Sequence, residues 1–357
     1  MASPFAVAAY GAVRPWLFSL PAEDAHRLGL QALRLAQRLP LGLGLAMLDR
    51  LFATRDPSLA VEAFGLRFPN PVGLAAGLDK DADAPAAFAA IGFGMVEVGT
   101  VTPRAQPGNA KPRMFRLPED DALVNRMGFP SGGATLARNH LWPWRHGLPG
   151  GAVLGINLGK NAATPVEEAA RDYVATFDAL HDLARYAVIN VSSPNTPGLR
   201  ALQSRDNLTR LASTVVARRD LVRSRMGRRI PILVKLAPDL DEPGLADVVG
   251  AAFDAGIDGL IATNTTLARP ALRSTNSHET GGLSGAPLRD RATQVLRWLV
   301  REAGARLPVV AAGGIMGPDD VAARLDAGAV LVQAYTGVVY RGPGFAGEAC
   351  AALVARR

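Results

Sequence analysis

From Asn70 onward the chain alternates short apolar runs with stretches of helical spacing, and this alternation constrains the fold more than any other feature. The apolar runs are Pro71–Ala76, Met95–Val98, Val153–Asn157, Ala187–Val191, Ile232–Leu236, Gly259–Thr263, Val309–Ala312 and Val330–Ala334. Helix-starting residues lie between most of them, such as Pro243 and Pro318. Strands that alternate with helices form a parallel sheet. Eight such units in about 290 residues therefore predict an α/β protein with a closed (β/α)8 TIM barrel, in preference to an open doubly wound sheet.

The start of the chain has a different pattern. We expect residues 1–52 to form an N-terminal helical extension and residues 53–357 to form the barrel domain. Glu23 to Leu39 has the spacing of an amphipathic helix. Its apolar stripe is Leu28, Ala32, Leu35 and Leu39, and its basic stripe is Arg27, Gln31, Arg34 and Arg38. The segment alone fits two interpretations equally: a cap packed on the barrel, or helices that lie on a membrane surface or frame the entrance for an apolar ligand.

Composition excludes several classes of protein. The single cysteine, Cys350, excludes an intramolecular disulfide or a thiol-based metal cluster. The net charge of +7 suits nucleic acid, an acidic membrane surface or anionic small ligands. The densest arginine run, Arg218 to Arg229, matches no nucleic-acid motif, so we interpret it as the solvated face and end of a helix. No apolar stretch is long enough to span a membrane, and the first ten residues lack the basic start of a secretory signal.

Polar residues and glycines follow the carboxyl ends of all eight predicted strands, where the active site of such a barrel lies. They are Asp79 and Lys80, Thr100, Asn157, Asn190 to Thr196, Lys235, Thr263 to Thr265, Gly313 and Gly314, and Tyr335 to Gly337. A ring to which every strand contributes is not expected of a purely structural barrel. The glycines after the last two strands lie where such barrels bind phosphate through backbone N–H groups, although a tight turn explains Gly313 and Gly314 equally well.

Amides and amines dominate the predicted site. Its asparagines are Asn125, Asn190, Asn195 and Asn264. Each offers a donor and an acceptor, which complement the imide and amide edges of a pyrimidine-like ring. Lys80 and Lys235 suit two roles, neutralising a substrate carboxylate and stabilising the anionic reduced form of a cofactor, but spacing alone does not assign the roles.

Seven strings of residues resemble those of class 2 dihydroorotate dehydrogenases, the quinone-dependent, membrane-associated members of their family. The strings are Ala76–Lys80, Thr100–Pro103, Asn125–Phe129, Gly155–Asn161, Asn190–Arg200, Ala262–Thr266 and Gly281–Gly285. Their order and spacing cover nearly everything from Asn70 to Gly342. The string Asn190–Arg200, with the sequence NVSSPNTPGLR, is long and specific, so a chance match is negligible.

The resemblance implies an FMN at the barrel mouth, with dihydroorotate or orotate beside it and no metal. The residues matching the FMN site are Ala76, Gly77, Leu78, Asp79, Lys80, Thr100, Asn157, Asn190, Lys235, Thr263, Gly285, Gly314, Tyr335 and Thr336. Those matching the substrate site are Lys80, Asn125, Arg126, Met127, Gly128, Phe129, Asn190, Asn195, Asn264 and Thr265.

The resemblance also implies the reaction, a step of de novo pyrimidine biosynthesis. Dihydroorotate gives a hydride from C6 to flavin N5 while Ser193, the catalytic base, removes a proton from C5. Serine is a weak base, so it needs a hydrogen-bonded relay, and Thr196 and Phe129 match positions near the proton exit. Class 1 enzymes have cysteine as the base, whereas Cys350 lies far along the chain from this loop, which indicates class 2.

In class 2 the second half-reaction passes the electrons to a membrane quinone through a tunnel formed by an N-terminal extension. His26, Arg116 and Tyr335 match the quinone end of that tunnel. The resemblance therefore favours the membrane-surface interpretation of residues 1–52, and implies a peripheral, monomeric protein on the cytoplasmic side of a bacterial cell membrane, with no nucleic acid and no obligate protein partner. Two alternatives remain: another FMN-dependent barrel oxidoreductase acting on a dihydropyrimidine, and a non-redox barrel that binds a sugar phosphate.

Overall fold

The computed structural model describes residues 4–357, so the first three residues of the predicted extension lie outside the described residues. The strands are β1 (Val61–Ala63), β2 (Leu66–Phe68), β3 (Val72–Leu74), β4 (Met95–Val101), β5 (Met114–Leu117), β6 (Ala122–Asn125), β7 (Val153–Leu158), β8 (Tyr186–Asn190), β9 (Ile232–Leu236), β10 (Gly259–Ala262), β11 (Gly282–Gly285), β12 (Val309–Ala312) and β13 (Leu331–Ala334). The helices are α1 (Pro4–Ser19), α2 (Ala22–Arg38), α3 (Leu43–Phe52), α4 (Pro85–Ala90), α5 (Gly133–Leu141), α6 (Ala169–Leu180), α7 (Arg205–Met226), α8 (Glu242–Ala255), α9 (Arg289–Ala303), α10 (Pro318–Asp326), α11 (Thr336–Arg341) and α12 (Phe345–Ala355).

The eight predicted apolar runs form the eight parallel strands of a closed barrel, in the order β3, β4, β7, β8, β9, β10, β12, β13 and back to β3. The predicted fold class is therefore confirmed. The limits of β9 and β12 agree with the prediction, whereas β4 extends to Val101 and β8 ends at Asn190. Both strands end among polar residues, because there the backbone turns into the loops that line the barrel mouth.

Side chains that point into the barrel change from apolar to polar along the strands. The amino-terminal part is filled by an apolar cluster that includes Phe68, Met95, Val153, Tyr186, Leu233 and Leu331. Further along the strands, the buried polar side chains include Glu97, Asn157, Asn190, Lys235 and Gln333. Burial of polar groups is costly unless they are hydrogen-bonded, so this inner polar layer marks the part of the barrel that carries a function beyond folding.

An antiparallel sheet lies beside the barrel mouth, and the sequence did not predict it. The hairpin of β5 and β6 occupies the long segment after β4, and β11 adds to β6 from a segment more than 150 residues later. The Tyr340 hydroxyl, on α11, donates to the carbonyls of Leu117 and Ala122 at 3.1 and 3.0 Å. These bonds fasten the hairpin to the barrel.

Helix α1 lies against the end of α11 and the hairpin. The Tyr10 hydroxyl donates to the Val339 carbonyl at 2.6 Å, and Arg14 donates to the Tyr340 carbonyl at 3.2 Å. Arg116, on β5, donates to the carbonyls of Leu17 and Leu20, and so holds the turn between α1 and α2. Among the described residues, no helix combines the length and the hydropathy needed to cross a bilayer.

Helix α2 packs on the barrel through a face other than its predicted apolar stripe. Leu30, Leu33 and Ala36 contact the core, whereas Leu35 in the predicted stripe is 67% exposed. Arg34, predicted for the basic stripe, forms a salt bridge with Asp83 at 2.8 Å. The helix thus has two apolar faces, one covered by the barrel and one turned outward.

The arginine run at the end of α7 is mostly solvated, as predicted, with one correction. Arg219 is only 4% exposed and forms salt bridges with Asp220 and Asp258 at 2.9 and 3.0 Å. Helical periodicity cannot predict the salt bridge with Asp258, because Asp258 lies outside α7, immediately before β10.

Candidate active site

A cavity opens at the carboxyl ends of the barrel strands. This is the end at which barrels of this type carry their active sites. The predicted site residues that line it are Ala76, Gly77, Lys80, Thr100, Asn125, Met127, Gly128, Phe129, Asn190, Ser193, Asn195, Lys235, Thr263, Asn264, Thr265, Gly285, Gly314, Tyr335 and Thr336. The structure therefore brings together residues that are spread over 260 positions of the chain.

Four of the residues predicted for the FMN and substrate sites lie outside this lining. Leu78 and Asp79 are buried beneath the loop after β3, where the Asp79 carboxylate accepts the N–H groups of Asp83 and Ala84 at 2.6 and 3.0 Å. Burial raises the pKa of Asp79 to about 7.

The other two are Arg126, whose side chain contacts residues outside the lining, and Asn157, which supports the lining from behind. Arg126 forms a salt bridge with Glu279 at 2.6 Å and lies over the Phe115 ring. Asn157 points inward from β7 and holds two lining residues, Thr100 and Asn190, by hydrogen bonds.

Sequence reasoning missed several lining residues. They are Ala75, Met114, Leu123, Pro130, Ser284, Leu288, Ala312, Ile315, Gln333 and Ala334, whereas Gly313, predicted beside Gly314 at the barrel mouth, does line the cavity. Gln333 had a readable signal, because it is a polar residue inside an otherwise apolar strand. Glu97, inside the apolar β4, carried the same signal, and its carboxylate accepts a hydrogen bond from Gln333 at 2.6 Å.

Two lysines give the cavity a cationic character. The Lys80 ammonium donates to the Gly77 carbonyl at 2.6 Å, and burial lowers its pKa to about 8 against the opposing effect of Glu23 and Asp81. The Lys235 ammonium makes no hydrogen bond or salt bridge to any described residue; burial lowers the pKa of Lys235, and the Glu97 carboxylate opposes this effect. No carboxylate is among the described residues that line the cavity, so it suits an anionic ligand.

The loop after β8 carries Ser193 on the cavity wall. The Asn195 backbone N–H donates to the Ser193 hydroxyl at 3.3 Å. Arg200 fixes this loop by donating to the carbonyls of Ser192 and Thr265 at 3.0 and 2.9 Å. Thr196 has a buried hydroxyl that bonds to no described residue.

Two amides face each other across the cavity rim. Asn195 donates its side-chain N–H to the Asn125 side-chain oxygen at 3.1 Å. This contact uses one donor of Asn195 and one acceptor position of Asn125, so the Asn195 side-chain oxygen and the Asn125 amide NH2 group remain for a ligand. A ring with alternating carbonyl and N–H groups is complementary to such a pair.

Unpartnered polar atoms and close-packed glycines test whether a flavin fits. Thr263, Thr265 and Gln333 line the cavity, and each has a buried side-chain oxygen without a described partner. A Cβ at Gly314 would lie 2.3 Å from the Arg289 Cα, and one at Gly285 would lie 2.3 Å from the Asp121 carbonyl oxygen. Only glycine leaves the backbone accessible at these two points, as close approach to an anionic group requires. The lining therefore fits a ligand that combines a hydrogen-bonding ring system with a phosphate.

A second cavity lies between α2 and the loops beside β5. It shares Lys80, Met127 and Pro130 with the first, so the two cavities adjoin. His26 lines the second cavity, and burial lowers its pKa to about 3. Tyr335 lines the first cavity, and Arg116 lines neither. The three residues predicted for the quinone end are therefore not brought together in one cavity.

Comparisons with known proteins give one consistent result. Residues 58–356 match the family model described as dihydroorotate dehydrogenase. The chain is 48% identical to the dihydroorotate dehydrogenase (quinone) of Marinobacter nauticus over 96% of this chain and 98% of that protein. It is 50% identical to the protein of the same name from Thiobacillus denitrificans, over 95% and 97%. The crystal structure of DHODH from Eimeria tenella in complex with ferulenol superposes with a TM-score of 0.85 at 39% identity, covering 94% of this chain and 91% of that chain.

Proposed function

The chain belongs to the dihydroorotate dehydrogenase family, and from this premise we propose that its barrel mouth oxidises dihydroorotate to orotate, with a quinone as electron acceptor. This is a step of pyrimidine biosynthesis. The observation that carries the proposal is a single cavity that combines Ser193, the amides of Asn125 and Asn195, and the ammonium groups of Lys80 and Lys235. These groups match an anionic substrate with imide and amide edges and a proton to lose.

Members of this family use a flavin, and we propose FMN. When bound, the flavin supplies the two-electron acceptor that oxidation of the substrate requires. Lys235, on the cavity floor, is suited to the polar edge of its ring system, and Thr263 and Gln333 have unpartnered oxygens for the ring's N–H group. The backbone exposed at Gly285 and Gly314 is suited to the phosphate.

Substrate recognition is proposed to depend on amides on the cavity wall and one ammonium group. Asn125 and Asn195 keep one donor and one acceptor free for the pyrimidine ring. Asn264 and Thr265 face the same cavity from the loop after β10. Lys80 lines the same cavity and is suited to neutralise the substrate carboxylate, which would in turn stabilise the charged form of the lysine.

We assign the catalytic base to Ser193. Its hydroxyl accepts one N–H group, from Asn195, so its remaining lone pair is available to take the C5 proton. Serine is too weak a base to hold that proton, so the proton has to move on. The buried, unpartnered hydroxyl of Thr196, three residues away, supports it as the next group of the relay.

The quinone is proposed to approach under the N-terminal helices. The second cavity lies beneath α2 and adjoins the first through Lys80, Met127 and Pro130. The outward side chains of this region support association with a membrane: Val13, Trp16, Leu28, Leu35, Leu39, Leu41, Leu43 and Met47 are all exposed. A peripheral location on the cytoplasmic face of the cell membrane is part of the same proposal.

Anaerobic mixing of the purified protein with dihydroorotate tests the whole proposal. The flavin absorbance is expected to bleach on adding dihydroorotate and to recover on adding a quinone. Dihydrouracil, which lacks the carboxylate, is expected to bleach the flavin far more slowly. A colourless protein, or faster bleaching by dihydrouracil, would overturn the proposal.

A further inference from the structure

A buried carboxylate lies inside the barrel, next to the polar floor of the cavity. Glu97, on β4, has no exposed surface. It accepts hydrogen bonds from Asn157 at 2.8 Å, Tyr186 at 3.2 Å and Gln333 at 2.6 Å. Gly155 leaves the space for this arrangement, since a Cβ there would lie 2.0 Å from the Tyr186 ring. A buried charge of this kind is expensive, and well-packed apolar side chains would fill the barrel at lower cost.

The hydrogen bonds of Glu97 continue to the cavity wall through side chains. The Asn157 side-chain oxygen accepts from Thr100 at 2.5 Å and from Asn190 at 2.9 Å. The Asn190 oxygen accepts from the backbone N–H and the hydroxyl of Ser192, at 3.2 and 3.0 Å. The Ser192 hydroxyl in turn accepts from Asn264 at 2.9 Å.

The direction of donation along this chain of bonds is set at both ends. An amide can present either its oxygen or its nitrogen to a neighbour, so Asn157 and Asn190 have no direction of their own. An ionised carboxylate can only accept, and a backbone N–H can only donate. Glu97 therefore turns the Asn157 nitrogen inward and its oxygen toward Asn190. The backbone of Ser192 requires the same orientation of Asn190.

We propose that Glu97 is a positioning residue, whose acceptor-only carboxylate fixes the orientation of the amides that hold the Ser193 loop and Asn264 against the substrate. The proposal rests on the proposed function, because Asn264 and Ser193 are assigned to substrate there. Glu97 touches neither the substrate nor the reacting atoms; it acts through Asn157 and Asn190.

The variant Glu97→Gln keeps the shape and introduces one donor. If the new nitrogen faces Asn157, two donors meet, and turning Asn157 and Asn190 over only moves the conflict to the Ser192 backbone. If the new nitrogen faces Gln333 instead, the Gln333 amide has to turn over. Its side-chain oxygen, which is unpartnered and available at the cavity in the wild type, then points away from the cavity. Either outcome disturbs the cavity, because each leaves a buried polar group unsatisfied or reoriented.

The structure also supplies a rescue. In the double variant Glu97→Gln with Asn157→Asp, the introduced amide donates to the introduced carboxylate and still accepts from Tyr186 and Gln333. The introduced carboxylate accepts from Thr100 and Asn190, as Asn157 does now. Every hydrogen bond is then made again, and only the bond between positions 97 and 157 has its direction reversed, whereas Asn157→Asp alone places two acceptors against each other.

Orotate affinity of the flavin-loaded protein, measured by the orotate-induced change in flavin absorbance, tests the inference. We expect each single variant to weaken orotate binding by about tenfold or more, and the double variant to return within about threefold of the wild type. Tyr186→Phe is the matched control, since it removes one donor to Glu97 without changing any direction; it is expected to stay within about threefold. Single variants that lose flavin, with flavin retained in the double variant, also support the inference.

Two outcomes would overturn it: a double variant as weak as the weaker single variant, or Tyr186→Phe as weak as Glu97→Gln. A merely structural role would lower the unfolding temperature in all of these variants without this pattern in affinity. The wild type separates the two levels of inference. If it shows no response to orotate, the proposed function fails; if it responds and the variants do not follow the pattern, only the role of Glu97 fails.

Discussion

Lys80 is the residue through which the site responds to pH. Because burial lowers its pKa to about 8, the ligand-free side chain loses its charge in a range where an exposed lysine is still protonated. An anionic ligand binds the charged form, so its affinity is full below this pKa and is lost as the pH rises through it. We therefore expect orotate to bind about tenfold more weakly at pH 9 than at pH 7, as measured by flavin absorbance.

The matched control for this prediction is Lys80→Arg, whose guanidinium stays charged throughout. Its orotate affinity is expected to change little over the same range, whatever its absolute value. A wild-type affinity that is flat from pH 7 to pH 9 would show that another group balances the substrate carboxylate.

Ser193 allows a separation of binding from chemistry. Ser193→Ala removes the proposed base and leaves the cavity, its lysines and its amides in place. We expect flavin and orotate to remain bound, and bleaching by dihydroorotate to slow by about 10²- to 10⁴-fold, the usual contribution of a general base. Stopped-flow absorbance measures the rate, and Ser204→Ala, at an exposed serine before α7, is the control. Bleaching within tenfold of the wild type contradicts the assignment.

For single residues, the sequence predicts the site correctly where a residue belongs to one of the seven strings that resemble the family. It does not predict a residue whose role depends on hydrogen-bond partners distant in the sequence. Ser193 and Asn195 were predicted from one string and line the cavity. Asn157 belongs to another such string, yet its contacts lie behind the wall. Glu97 and Gln333 were not predicted, because their hydrogen bond joins positions 236 residues apart and only the closed barrel brings them together.

Among the elements, α1 depends on one point of close packing. Gly342, which ends α11, faces the Tyr10 ring so closely that a Cβ would lie 2.3 Å from it. Gly342→Ala is expected to push Tyr10 away and release α1, because both partners are rigid. If α1 helps to frame the quinone entrance, quinone turnover falls several-fold while bleaching of the flavin by dihydroorotate is unchanged.

Gly304 provides the control for backbone strain in this experiment. It ends α9 with a positive φ of 57°, comparable to the 77° of Gly342, and a Cβ there would meet nothing within 4 Å. Gly304→Ala therefore carries the strain without the clash, and it is expected to lose stability but keep quinone turnover. Equal losses of quinone turnover in both variants would mean that α1 has no part in it.

The sequence predicts the environment of an element correctly where its apolar pattern allows only one way of packing. The barrel strands are buried on both sides, so their apolar runs are unambiguous. Helix α2 is apolar on two faces, and periodicity cannot tell that Leu30 and Leu33 contact the barrel while Leu35 is exposed. The addition of β11 to the hairpin of β5 and β6 was missed because that pairing joins distant segments.

For the whole molecule, the distribution of exposed apolar side chains is uneven. Of the thirteen exposed large hydrophobic side chains among the described residues, eight lie between Val13 and Met47, in the segment that contains α2, the helix that lines the second cavity. A monomeric soluble protein seldom concentrates them in this way. The whole chain carries a net charge of +7, so this apolar surface is suited to a membrane that contains anionic lipids.

A vesicle experiment tests this surface as a membrane-binding site. Leu35 and Leu41 are 67% and 95% exposed, so replacing both with glutamate should leave the stability of the fold unchanged. Each leucine that enters the lipid contributes up to about 1.5–3 kcal/mol, so the double variant should bind vesicles of phosphatidylethanolamine and phosphatidylglycerol about tenfold or more weakly. Leu221→Glu, on α7 and 54% exposed, is the matched control and should bind like the wild type. Turnover with a quinone embedded in the vesicles should fall in the double variant, while turnover with a water-soluble quinone is retained. If Leu221→Glu weakens binding as much as the double variant, general charge and not this surface holds the protein at the membrane, because the control adds one negative charge at a site remote from this surface.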